Sequence, residues 1–158
     1  MKEFKLPLLR VYELTSVIDS IQPKDLGDLK SIRLAAGIVN DLKTLLKDYA
    51  EKSDALAQKQ LEILKPYQEE YKAKGELSEE EAKKFAAELD ARFQAEVKEK
   101  FGTEQLALNE QGQAETAVEL GDEKFGKLKE LFEKNTDKYL KKEVLLIVAD
   151  ALEAATSK

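Results

Sequence analysis

The fold turns on one stretch, Leu29-Lys30-Ser31-Ile32-Arg33-Leu34-Ala35-Ala36-Gly37-Ile38-Val39-Asn40-Asp41-Leu42, and on its continuation to Tyr67. Leu29, Ile32, Ala35, Val39, Leu42, Leu46, Tyr49, Ser53, Leu56, Gln60, Ile63 and Tyr67 follow one another at steps of three or four. From Ala35 the steps alternate four and three, which is a heptad stripe on an α-helix. Ser53 and Gln60 weaken the seam, and Leu61 and Leu64 suggest that the stripe drifts there. Drift is expected, because a straight helix slips about 20° per heptad. Pro66 lacks an N–H and crowds the carbonyl four residues back, so a kink or break is predicted near it. Unbroken, roughly 40 residues span about 60 Å. That exceeds what one compact domain of this size needs, so part of the helix is expected to project.

Upstream, Leu8, Val11, Leu14, Ile18 and Ile21 form a second stripe, closed by Gln22-Pro23, and Gly27-Asp28 reads as the next turn and cap. Downstream, Lys74-Gly75 ends the long element. Ser78-Glu79-Glu80-Glu81 is a capping box with acids opposing the helix dipole. Phe85, Leu89, Phe93, Val97 and Phe101 then recur every four residues, and Gly102 reads as a stop. The short connection at Gly75 predicts an antiparallel αα-hairpin within residues 29–101, with Phe85, Leu89 and Phe93 packed on Leu56, Ile63 and Tyr67. Residues 103–115, polar and Gln-rich, read as a long acidic loop. Residues 116–120 read as a short strand, and Gly121-Asp122 caps a helix carrying Phe125, Leu128, Leu131 and Phe132. Residues 143–148 fit a strand by content, whereas Leu140, Val144, Ile147, Ala151 and Ala155 fit a helical stripe. A strand there would pair with residues 3–6 and 116–120. The predicted class is mainly α, with a two- or three-stranded sheet near the termini.

The chain has 158 residues, a length that suggests a single domain, 1–158. It carries a net charge of −6 and has no Cys, His or Trp. Disulfides, thiolate nucleophiles, His-based triads and imidazole metal ligands are therefore excluded. No P-loop, G-x-G-x-x-G or calcium-loop motif is present. Carboxylates are the only abundant reactive groups. Those such as Glu69, Glu79, Glu88 and Glu96 sit among Lys on polar helix faces, the pattern of solvated surface. No catalytic, cofactor or metal residue is assigned, and no enzyme activity is expected. No 18-residue apolar run exists to cross a membrane. Met1–Pro7 has no long apolar core of a signal peptide, so synthesis and folding inside a cell are expected.

Charge is uneven. Residues 101–123 carry six acids and no base, and residues 124–142 carry seven Lys against three acids. The basic stretch, with Phe125, Phe132 and Tyr139, is the best nucleic-acid candidate. It has no Arg and lies in an acidic chain, so nucleic-acid binding is not expected. The mid-helix Gly37 costs about 1 kcal/mol relative to Ala, which suggests a close approach or a bend. Tyr49, Tyr67 and Tyr71 lie at or near the seam, where aromatic residues serve the core or anchor a partner. The partner-binding candidates are Tyr49, Leu56, Ile63, Tyr67 and Tyr71 on the seam, and Glu104, Glu110 and Glu115 on the acidic stretch.

The order of features also carries a resemblance. Lys2-Glu3-Phe4-Lys5-Leu6 runs into Leu8-Leu9-Arg10-Val11-Tyr12-Glu13-Leu14, then the helix Ile32–Leu42, and finally Phe132-Glu133-Lys134 and Glu143-Val144-Leu145-Leu146-Ile147. This apolar spacing, over most of the chain, resembles small uncharacterised helical proteins of tailed bacteriophages. The resemblance implies a phage-encoded accessory, assembly or virion protein, made in the host cytoplasm and carried into the particle if it is a virion component. The predicted role is a non-enzymatic protein-interaction module that buries a helical face against a protein partner or another copy of itself. Inhibition of a host or defence enzyme through the acidic segment is the main alternative, and a carboxylate-dependent enzyme is the second.

Overall fold

The computed structural model describes residues 1–138 and 141–157. The places assigned above to Tyr139 and Leu140 lie outside the described residues. The chain is mainly α-helical with one small sheet: β1 (Lys2–Pro7), α1 (Leu8–Asp19), α2 (Pro23–Leu26), α3 (Leu29–Ala73), α4 (Glu79–Gln113), β2 (Glu115–Leu120), α5 (Asp122–Lys134), a 3-10 turn (Thr136–Lys138) and α6 (Lys142–Thr156). It forms two compact units, Met1–Asp48 with Gln111–Lys158, and Tyr49–Glu110. α3 and α4 each contribute to both.

The first unit holds most of the core. β1 and β2 pair antiparallel, with Phe4 opposite Val118 and Leu6 opposite Thr116. Alternation puts Phe4, Leu6, Val118 and Leu120 on the buried face and leaves Glu3, Lys5, Ala117 and Glu119 exposed. The α1 stripe is buried as its spacing predicts, with Val11 and Leu14 fully covered. Asp28 caps α3 by accepting the Ser31 N–H at 2.8 Å, and this bond lowers its pKa from the ordinary carboxylate value. Gly27, at φ +94°, makes the turn before that cap. Gly37 marks a close approach: a Cβ there would lie 3.0 Å from Lys124 Cε. Lys124 crosses it to pair with Asp41 at 2.8 Å.

The second unit is the helical hairpin. α3 runs through Pro66 without the predicted break. Glu62 and Pro66 are both exposed, so water can take up the carbonyl that proline leaves free. Gly75, at φ +81°, turns the chain just after α3, and Ser78 Oγ accepts the Glu81 N–H at 3.2 Å as the forward half of the capping box.

The expectations at Gly102 and for residues 103–115 fail, and the choice left open at 143–148 is decided. Gly102 does not stop α4, and 103–115 is not a loop: the helix continues to Gln113. Glu104, Gln105, Leu106, Ala107 and Leu108 are good helix formers. The stripe Phe101, Gln105, Leu108 keeps helical spacing, and Leu108 is buried. Residues 143–148 lie inside α6, so the sheet has two strands. Val144, Val148, Leu152 and Ala155 recur at helical spacing and are all buried. That one-sided burial outweighs the β-branched content of the segment.

Candidate functional site

The hairpin of the second unit brings several of the predicted residues together. Tyr67 lies edge-on to Phe93, with ring centroids 6.0 Å apart. Tyr71 stacks on Phe85, also at 6.0 Å. Arg92 sits 5.4 Å above the Tyr67 ring and pairs with Glu70 at 2.9 Å. Lys59 reaches Glu104 at 3.4 Å. Partners thus run 59 with 104, 67 with 93 and 71 with 85, the falling order of an antiparallel pair. The Tyr67 hydroxyl donates to Glu96 Oε2. Together with Lys100, that bond holds the Glu96 carboxyl below its ordinary range. The same bond raises the Tyr67 phenol.

Most of the predicted seam is used up inside the hairpin. Leu56 is buried, and Tyr49, Ile63 and Tyr67 are half-buried. Among them only Tyr71, 42% exposed, offers a large apolar surface. The surface the seam reading missed is the rest of the neighbouring stripe on α3, Leu61, Leu64 and Gln68, which runs up to Tyr71. Leu61 is 49% exposed. Leu64, Gln68 and Tyr71 form one wall of a groove of about 450 Å³, and Ala86, Leu89, Asp90 and Phe93 of α4 form the other. The sequence signal was present in Leu61 and Leu64, read as drift of one stripe. They belong to a second stripe, spaced 61, 64, 68, 71, on the same helix.

The acidic candidates do not converge. Glu104 is paired with Lys59 in the hairpin, whereas Glu110 is exposed near the end of α4 and Glu115 begins β2. Of the remaining acids in 101–123, Asp122 pairs with the Met1 ammonium at 3.1 Å and Glu123 with Lys30 at 2.8 Å. The adjoining basic stretch is partly neutralised as well. Glu130 accepts from Lys134 at 2.6 Å and Lys127 at 3.4 Å, and these two bonds lower its pKa.

The carboxyls of Asp28, Glu96 and Glu130 lie below the ordinary carboxylate value, each held there first by the hydrogen bonds it accepts. Among the described residues no group of three or more acids is placed to hold a metal ion, and no helix is long and apolar enough to cross a membrane. The arrangement offers apolar surface with fixed charges beside it. Compared with known proteins, the chain matches no family model, no curated protein and no solved structure.

Proposed function

We propose that this chain is a non-enzymatic protein-interaction module that works through the helical groove of its hairpin, with a second copy of itself as the occupant. The observation that carries the reading is the groove between α3 and α4, apolar along Leu64, Tyr71, Ala86 and Phe93 and open to solvent at Tyr71. A helix lying in such a groove anchors it with side chains at i, i+3 and i+4. Lys72 stands on one wall and Asp90 on the other. A twofold contact can then set each Lys72 against the other copy's Asp90, the self-complementarity that an isologous interface requires. The hairpin also has few buried residues of its own, so covering the groove adds core where little exists.

The residue inventory supports a non-enzymatic role. His and Cys are absent, and many carboxylates lie on exposed helix faces beside Lys and Arg. The resemblance to small phage proteins supports an assembly or accessory task, carried out in the host cytoplasm or within a virion. The inhibitor alternative has less support, because Glu104, Asp122 and Glu123 are already occupied by cations of the same chain.

Sedimentation equilibrium tests the proposal. The native chain is expected to reach the mass of two copies as concentration rises. Leu64→Glu and Tyr71→Glu should return it to one copy while the helical circular dichroism stays unchanged. A one-copy mass for the native chain throughout, or variants that associate as well as it does, would reject the reading.

A further inference from the structure

The outer edge of β2 presents main-chain groups that no described residue uses. Leu8 N–H donates to Ala114 O at 3.0 Å, and the register continues Leu6 to Thr116, Phe4 to Val118 and Lys2 to Leu120. In an antiparallel pair, alternate residues exchange both main-chain bonds with the partner strand, and the residues between them point theirs the other way. Thr116, Val118 and Leu120 therefore bond β1. Glu115, Ala117 and Glu119 turn their N–H and C=O groups to the opposite edge, where the sheet has no further strand.

A cavity of about 370 Å³ lies on this edge. Its walls are Ala117, Val118 and Glu119 on one side and Asp41, Thr44 and Leu45 of α3 on the other. Three consecutive strand residues have side chains on alternating faces. A space that touches all three therefore lies along the backbone edge. Leu45 is 39% exposed, so its apolar surface is available beside the edge. Glu115 and Glu119 both stand exposed on the outward face of β2, and neither has a cationic partner among the described residues. Across the sheet, Glu119 meets Glu3, a like-charge pair, and Lys5, opposite Ala117 on the same face, forms an ion pair with neither Glu115 nor Glu119 among the described residues.

We infer that this edge is a docking site for a third strand, supplied by an extended segment of another protein with basic residues four positions apart. Those residues face Glu115 and Glu119, an uncharged residue faces Ala117, and main-chain bonds to Ala117 and Glu119 provide the register, as in strand addition generally. A second copy of β2 is a poor occupant. Paired antiparallel about Ala117, it sets Glu115 of each strand opposite Glu119 of the other. The site lies in the first unit and does not depend on the hairpin groove.

The probe is a blocked Lys-Val-Thr-Val-Lys peptide, followed by amide shifts of Ala117 and Glu119. Its controls are the same peptide with Glu for Lys and the same peptide N-methylated at Thr. The Lys peptide is expected to bind at least tenfold more tightly than either control. Glu115→Lys with Glu119→Lys should reverse the charge preference. Leu64→Glu, in the hairpin groove, should leave it unchanged. The inference is overturned if the Lys peptide does not bind, if N-methylation has no effect on the unaltered protein, or if the double charge reversal leaves the preference as it was.

Discussion

At the scale of single residues, side chains do double duty. Lys124 fills the space that a Cβ on Gly37 would need and carries its ammonium to Asp41, so the glycine that weakens α3 locally also admits a cross-helix ion pair. Tyr67 packs on Phe93 and donates to Glu96. A carboxyl lowered in the folded state adds stability above its unfolded value and loses it as pH falls through the folded value. For Glu96, whose ordinary value is 4.5, that contribution is complete above about pH 4.5 and fades below it. Tyr67→Phe keeps the ring and removes the hydroxyl. Thermal melts of the two proteins from pH 7 to pH 3 should show a difference in midpoint at pH 7 that narrows as Glu96 is protonated. A difference that stays constant through this range would contradict the link.

Within elements, burial on one face decides the outcome where local signals conflict. Gly102 reads as a stop, yet α4 passes through it because Phe101, Gln105 and Leu108 keep facing inward. A glycine held inside a helix costs about 1 kcal/mol relative to Ala. A Cβ at Gly102 would meet only Lys98 Cγ, at an ordinary 3.8 Å. Gly102→Ala should therefore raise stability in urea by about 1 kcal/mol. A loss of stability would show that the glycine is required by its surroundings. Similarly, residues 143–148 are rich in strand formers but belong to α6, since Val144, Val148, Leu152 and Ala155 share one face only on a helix: on a strand Ala155 would point to the opposite side.

Across the whole molecule, the buried side chains are unequally shared. Leu56, Leu89 and Leu108 are the buried apolar residues of the hairpin unit among those described, whereas the first unit buries whole stripes of α1, α3, α5 and α6. Segments with few buried apolar contacts open at lower free energy. In native-state hydrogen exchange, amides of residues 59–70 and 90–104 should therefore exchange well before those of 11–18 and 125–132. Leu14→Ala, at a fully covered site, should cost about 2–5 kcal/mol and speed exchange throughout the first unit. Equal protection in the two units would contradict this division.

Sequence spacing alone was sufficient for α1, the long α3, the capped start of α4 and the hairpin, whereas the pairing of β1 with β2, more than 100 residues apart, needed the tertiary structure. Each of the helical features depends on near neighbours or on a period that one helix must satisfy by itself. The extension of α4 beyond Gly102 and the helical state of 143–148 needed the tertiary structure, because two local states of similar free energy were separated only by what covered one face. The candidate surfaces were decided there too. Leu64, Gln68 and Tyr71 become a groove wall only once α4 lies beside α3. The outer edge of β2 is left without a third strand because residues 143–148 bury Val144 and Val148 as a helix rather than joining the sheet.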